Sequence, residues 1–247
     1  MSRRPGYNLE DALRRLHLPT IRRLYATLAE EAEKDSWTFR EYLEHLVSEE
    51  VAHRAETRIT RSTHKAKFPF LKTIDEFDFS FQQSVKKTAL GRFFGPELVE
   101  GGRSLILLGK PGRGKTHLAI AMAYKAIQNG YEAFFTTTAA LLNALHRGAT
   151  AGKLEEAIAP YVEPHVLVID ELGYLSYGAD AANLLFQVVD RRYLKGRPMV
   201  FTSNKEPGEW GTVLHDPDLA EAIVDRVLER GEVLRLAGKS YRNPSGN

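Results

Sequence analysis

Ser104-Leu105-Ile106-Leu107-Leu108-Gly109-Lys110-Pro111-Gly112-Arg113-Gly114-Lys115-Thr116 is the stretch from which the rest of the chain is read. Ser104 to Leu108 reads as a buried strand. Behind it, Gly109 and Gly114 stand at the two ends of a loop that is followed at once by lysine and a hydroxyl residue. That spacing lets backbone amides turn inward around phosphate oxygens. Lys115 supplies a point charge to the outer phosphates, and Thr116 offers a hydroxyl to Mg2+ at a helix start. Thr116 to Gln128, closed by Asn129-Gly130, reads as that helix. Gly109, Lys110, Pro111, Gly112, Arg113, Gly114, Lys115, Thr116 and the adjoining His117 are therefore the expected contacts of a nucleoside triphosphate.

Further along, Val166-Leu167-Val168-Ile169-Asp170-Glu171 is a four-residue apolar run ending in two carboxylates. Beside a phosphate loop such a strand places Asp170 to hold the magnesium ion through its coordinated water, and Glu171 to orient and deprotonate an attacking water. Hydrolysis is the chemistry this pair implies. Met199 to Asn204 is another buried strand with a polar end. Asn204 there reads as a contact to the γ-phosphate or the water, with an ordinary turn residue as the alternative. Arg226, among apolar neighbours near the end of a helix spanning Asp218 to Glu229, reads as a finger donated to a neighbouring subunit. Its alternative is an ion pair with Asp225 or Glu229.

Strand candidates at 104–108, 132–136, 166–170, 198–203 and 232–236 alternate with helices from about Phe77 onward. That alternation predicts a five-stranded parallel sheet covered on both faces. Residues 1–67 differ. Leu9, Leu13, Leu16, Leu18, Ile21, Leu24 and Leu28 recur at helical spacing, and Phe39, Tyr42, Leu43, Leu46 and Val47 repeat the pattern. Thr38 and Glu41 fit a capping box for a long second helix. The chain is thus expected to form an all-helical domain, 1–67, and an α/β domain, 68–247. Phe68, Phe70 and Leu71, after the helix-ending Pro69 region, are expected to dock on the second domain.

The 247 residues carry a formal net charge of +2, with 43% hydrophobic and 27% charged residues. This balance excludes a strongly basic polymer binder, so any nucleic-acid contact must come from a local patch. Residues 1–67 hold 13 Lys+Arg against 11 Asp+Glu, leaving 21 of each for the remainder. Within that front region Arg54, Arg58, Arg61 and Lys65 fall on one helix face, diluted by Glu56. Two readings stand for this stripe: a solvated charged face, or a grip on phosphate backbone. The absence of cysteine excludes disulfides and thiolate metal sites. No apolar run has signal-peptide or membrane-spanning length, so the expectation is a soluble, cytoplasmic protein without a membrane partner.

Taken in order, these features resemble an AAA+ ATPase of the IstB/DnaC type, the IstB-like ATP-binding helpers of insertion-sequence transposition in particular. The resemblance is carried by Ser48-Glu49-Glu50 with Arg54, Lys65-Ala66-Lys67-Phe68-Pro69, Phe77-Asp78-Phe79, Gly109 to Thr116, Asp170-Glu171-Leu172-Gly173-Tyr174-Leu175, Asp225 to Gly231, and Gly238-Lys239-Ser240-Tyr241-Arg242. It implies ATP with Mg2+ bound between subunits of a ring or spiral. Lys115, Thr116, Asp170, Glu171 and Asn204 would come from one subunit and Arg226 from the next. It also implies assembly on duplex DNA with little sequence preference, gripped by the Arg54–Lys65 stripe, and recruitment of a partner transposase. The alternative within the same ATPase type is a DnaC-like replicative helicase loader. Only 11 residues follow Leu236, so the helical lid usual in AAA+ proteins is expected to be absent; Arg242 is a candidate for the subunit interface or the nucleotide site. Tyr174, Tyr177 and Trp210 are read as core or loop anchors, with contact to DNA or a neighbour as the alternative.

Overall fold

A computed structural model describes residues 8–175 and 177–241. Two compact units divide the chain, 1–61 and 62–247, and each is taken by itself.

The first unit is helical. The apolar periodicity from Leu9 to Leu28 does not make one helix: α1 (Leu9–Arg15) and α2 (Pro19–Lys34) are separated at His17, whose φ is 54°. Pro19 begins α2 because its fixed φ suits a first turn and its missing N–H is not needed there. α3 (Phe39–Lys65) starts at the expected capping box. Glu41 N donates to Thr38 Oγ1 at 3.2 Å, and Thr38 N to Glu41 Oε2 at 2.7 Å. α2 has no side-chain cap of its own. Glu50 of α3 supplies one: buried to 4% exposure, its Oε2 accepts from the amides of Thr20 (2.9 Å) and Ile21 (3.2 Å). Leu46 is buried on the same helix, and Tyr42 Oη donates to Tyr25 O at 2.7 Å.

Residues from Ser62 onward, the last turn of α3 included, cluster with the second unit. The sequence placed the boundary six residues later. It also expected Phe68, Phe70 and Leu71 to dock there; Phe68 is part-buried, whereas Phe70 and Leu71 are about half exposed. Ala66, fully buried, docks instead, its carbonyl accepting from Phe135 N at 2.8 Å.

After two single turns, α4 (Lys87–Leu90) and α5 (Glu97–Glu100), the second unit alternates as expected. The elements are β1 (Leu105–Leu108), α6 (Lys115–Gln128), β2 (Ala133–Thr137), α7 (Thr138–Thr150), α8 (Leu154–Val162), β3 (Val166–Leu172), α9 (Ala181–Leu194), β4 (Met199–Ser203), α10 (Trp210–Leu214), α11 (Pro217–Leu228) and β5 (Glu232–Arg235). All pairings are parallel, in the order β2-β3-β4-β1-β5. Ile106, Leu167, Ile169 and Phe201 turn to one face and pack with α7, α8, α9, α10 and α11. The intervening strand residues face the other way, where α6 covers β1 to β4. Trp210 is fully buried, as the core reading of it required.

One buried charge organises that core. Arg192 on α9 is 0% exposed and donates to the carbonyls of Tyr161 (2.8 Å), Pro164 (2.9 Å), His165 (2.9 Å) and Pro198 (2.7 Å). Its Nη1 and Nη2 groups tie the end of α8 and the starts of β3 and β4 to α9, while Nε is buried without a hydrogen-bond partner. Burial pushes its pKa down to about 9, with the charge of Arg197 adding to the shift. No helix among the described residues is long and apolar enough to cross a membrane.

Candidate functional site

Parallel strands β1, β3 and β4 bring their carboxyl ends to one edge of the sheet, the edge where open α/β sheets bind ligands. The loop Gly109 to Gly114 leaves β1 there and enters α6 at Lys115. Two of its glycines are required by space. A Cβ on Gly109 would lie 2.4 Å from Leu236 O, and one on Gly114, whose φ is 88°, would lie 2.7 Å from the Phe77 ring. A cavity of about 380 Å³ opens over this loop, lined on the loop side by Gly112 to His117 and on the strand side by Glu171 and Thr202.

Lys115 is 5% exposed, and its ammonium donates to Gly109 O (2.7 Å), Lys110 O (3.0 Å) and Tyr174 Oη (3.1 Å). Thr116 Oγ1 donates to Asp170 at 2.9 Å from Oδ1 and 3.2 Å from Oδ2. The two residues expected to share a metal ion are therefore in direct contact. Among the described residues no three His, Asp or Glu side chains converge to hold a metal alone. A hydroxyl and one carboxylate are what Mg2+ uses when phosphate oxygens and waters complete its shell, so the donor set fits that ion.

Asp170 and Glu171 are consecutive, yet both serve the same edge because β3 bulges. Ile169 is opposite Phe201 and Leu172 opposite Ser203, one residue more on β3 than on β4. Glu171 takes up that extra residue with φ 64°, uncommon for a side chain. Thr202 of β4, 1% exposed, fastens the bulge: its hydroxyl donates to Asp170 Oδ1 and accepts from Glu171 N at 3.0 Å. Tyr177 Oη donates to Glu171 O at 3.1 Å. Tyr174 and Tyr177 thus belong to the turn over the site.

His117 lies half-buried in the cavity wall, with Nε2 bonded to Thr73 O at 2.8 Å. Burial lowers its pKa, with the bond to the Thr73 carbonyl opposing the shift. Lys110 and Pro111 sit exposed on the loop. Arg113 lines the cavity and has one buried guanidinium nitrogen without a partner. Asn204 lies just past β4; its Oδ1 is buried without a hydrogen-bond partner, 3.1 Å from where a Cβ on Gly173 would stand. Neither Asn204 nor Arg226 is among the residues lining the cavity. Arg226 bonds Asp190 of α9 at 2.8 Å, not Asp225 or Glu229.

The first member of the basic stripe has a second set of contacts. Arg54, read as a stripe cation, donates to Glu50 Oε1 at 2.8 Å and to His17 O, so it serves the buried cap of α2. Arg58, Arg61 and Lys65 are exposed. Tyr241 closes over the phosphate loop, its N donating to Gly112 O (2.9 Å) and its hydroxyl to Asp78 O (2.7 Å). Arg242 lies outside the described residues. Thr202 is missing from the expected set, because a threonine inside an apolar strand run signals only β-propensity.

The sheet order, the phosphate loop and the Thr116–Asp170 contact define an AAA+ P-loop protein. The chain belongs to the family described as IstB-like ATP binding protein, whose model matches residues 11–245. It is 39% identical over 228 residues to a Geobacillus stearothermophilus protein named for ATP binding in insertion sequence IS5376, covering 92% of this chain and 90% of the relative. It is 34% identical over 236 residues to the corresponding IS21 protein of Pseudomonas aeruginosa, covering 96% and 89%. Among solved structures, the DnaC helicase loader superposes with a TM-score of 0.53 at 24% identity, over 61% of this chain and 87% of that one. AMPPCP-bound DnaA from Aquifex aeolicus gives 0.58 at 18% identity, over 69% and 51%. These two likenesses are of fold.

Proposed function

We propose that the protein is an ATPase that assembles on duplex DNA and serves its insertion sequence by recruiting and stimulating the partner transposase. The observation that carries the catalytic part is the Thr116–Asp170 contact, with Glu171 on the adjoining bulge. Backbone amides of Gly112 to Lys115 receive the phosphates, and Lys115 exchanges loop carbonyls for outer phosphate oxygens. Thr116 and Asp170 hold Mg2+, which when bound neutralises charge building on the transferred phosphoryl. Glu171 takes the proton of the attacking water. Asn204, with its orphaned oxygen at the same strand edge, orients that water, and Arg226 of a neighbouring subunit completes the site.

Relatives named for insertion-sequence ATP binding, matched along nearly their whole length, favour this role over a helicase loader. Arg58, Arg61 and Lys65 supply a sequence-independent phosphate contact. The test is light scattering with size-exclusion chromatography on Glu171→Gln protein, with and without ATP and Mg2+, in the presence of a mid-length duplex. Nucleotide-dependent growth into a discrete DNA-bound oligomer is expected. A monomer that ignores duplex but captures a replicative helicase in ATP would replace this reading with the loader.

A further inference from the structure

The Asp170 carboxylate is held by two hydroxyls from two different elements, Thr116 of α6 and Thr202 of β4. Their surroundings differ. Thr116 is part-buried at the mouth of the phosphate loop, whereas Thr202 is 1% exposed in the middle of the sheet, between β3 and β1. Donor and acceptor roles at Thr202 are forced, since an amide only donates and a carboxylate only accepts. The chain of bonds therefore runs from Glu171 N–H to the Thr202 oxygen and from the Thr202 proton to Asp170 Oδ1.

We propose that Thr202 is a positioning residue for hydrolysis, one hydroxyl that fixes the metal-binding carboxylate of Asp170 and aims the water-activating carboxylate of Glu171. The inference rests on the ATPase reading above. Glu171 leaves the strand at a bulge with φ 64°, so its direction depends on what pins the peptide units around it. Thr202 pins the amide side and Tyr177 the carbonyl side. Thr202 borders the cavity at 1% exposure, but its hydroxyl is committed to Asp170 Oδ1 and Glu171 N, so it acts through those two residues. An outer contact of this kind changes metal affinity and turnover together while leaving the phosphate loop alone.

The test compares full-length wild type with Thr202→Val, which keeps the volume and loses both bonds, and Thr202→Ser, which keeps both. Three quantities are read: ATP turnover at saturating Mg2+, affinity for a fluorescent ATP analogue in EDTA, and the Mn2+ concentration that half-saturates metal binding to the nucleotide complex. Thr202→Val is expected to lower turnover roughly 10- to 100-fold and raise the Mn2+ requirement severalfold, with affinity in EDTA unchanged. Thr202→Ser is expected to stay near wild type in all three. Wild-type turnover and Mn2+ dependence in Thr202→Val would overturn the proposal. So would a Thr202→Ser protein as impaired as Thr202→Val, since the hydroxyl would then not be what matters. If Thr202→Val does not fold, Thr202→Cys, similar in size and a poor donor, takes its place with the same expectations. Absence of turnover in wild type, with or without DNA, would sink the ATPase reading itself, whereas turnover that ignores Thr202 sinks this inference alone.

Discussion

Arg226 reaches from α11 to Asp190 on α9, its Nε 2.8 Å from Oδ1 and its guanidinium 4.5 Å from the Phe186 ring centre. Within one subunit the arginine already has a carboxylate and an aromatic face. To serve a neighbour's γ-phosphate it must exchange Asp190 for phosphate, which an exposed or half-exposed pair does at small cost. The two side chains are 30% and 32% exposed, so the pair contributes less than about 1 kcal/mol to folding. Arg226→Ala should therefore fold and bind nucleotide as wild type does, yet lose turnover in the DNA-bound assembly. Mixing Arg226→Ala with Lys115→Ala subunits should restore part of the activity, because each contributes the half that the other lacks. Mixed assemblies as inactive as either parent would remove Arg226 as a trans-acting group.

Glu171 and Lys115 predict different failures. Lys115→Ala removes the ammonium that the loop carbonyls hold ready, and nucleotide binding should be lost with any ATP-dependent assembly. Glu171→Gln keeps the bulge and its amide bond to Thr202, because neither depends on the side-chain charge. It should bind ATP and DNA while turnover falls by at least about 100-fold, in the range expected of a lost general base. A steady-state phosphate-release assay at saturating ATP decides it; an unchanged rate would take Glu171 out of the mechanism.

Local spacing made the phosphate loop, the β3 carboxylates and all five strands legible, because each is written in a few adjacent residues whose backbone geometry follows from their type. The capping box at Thr38 was legible for the same reason. What escaped is tertiary. Glu50 caps a helix that begins 31 residues earlier in the chain, and nothing in Glu49-Glu50 distinguishes the buried carboxylate from its exposed neighbour. The bonds from Arg54 to Glu50 and to His17 O were hidden for the same reason. Thr202 and Arg192 reach their partners only through sheet order and helix packing, which residue spacing does not encode. The split at His17 was within reach, since Pro19 marks a first helical turn in the middle of an otherwise continuous apolar pattern.

Arg192 should be the least replaceable charge in the second unit. Its guanidinium satisfies carbonyls at the end of α8 and before β3 and β4, and a shorter or apolar side chain leaves them buried and unpaired. Arg192→Met should cost about 3–5 kcal/mol, on the scale of a broken buried polar network, and Arg192→Lys should recover little because a point charge cannot reproduce the fork. Urea unfolding followed through Trp210, which is buried in the same unit, measures it. A loss below about 1 kcal/mol would mean that water reaches those carbonyls once the side chain is gone.

The basic face of α3 predicts a salt dependence. If Arg58, Arg61 and Lys65 each neutralise one duplex phosphate, replacing all three by alanine lowers the slope of log K against log salt by nearly three, at 0.9 per contact. Weakening should be the same for unrelated duplex sequences. Fluorescence anisotropy across a salt series reads the slope directly, and an unchanged slope would return the stripe to an ordinary solvated face.

Arg54 and Glu50 should fail in another way, through folding of the first unit. Burial pushes the Glu50 carboxyl up, but the bonds from Arg54 and from the amides of Ile21 and Thr20 outweigh it, and its pKa is lowered. A carboxylate depressed in the folded state adds stability that is fully present above the unfolded value of about 4.3 and is lost as pH falls through the lower, native value. Glu50→Gln should therefore loosen the start of α2 at pH 7, by about 1–3 kcal/mol for charged hydrogen bonds left unmade, and the gap to wild type should close below about pH 4. Hydrogen exchange at the Thr20 and Ile21 amides reports this cap specifically. Protection that is equal in the two proteins at pH 7, or a gap that widens on acidification, would show that Glu50 does not hold the helix as a carboxylate. Arg54→Ala should shift the same amides in the same direction by a smaller amount, since it leaves the Glu50 carboxylate bonded to both of them.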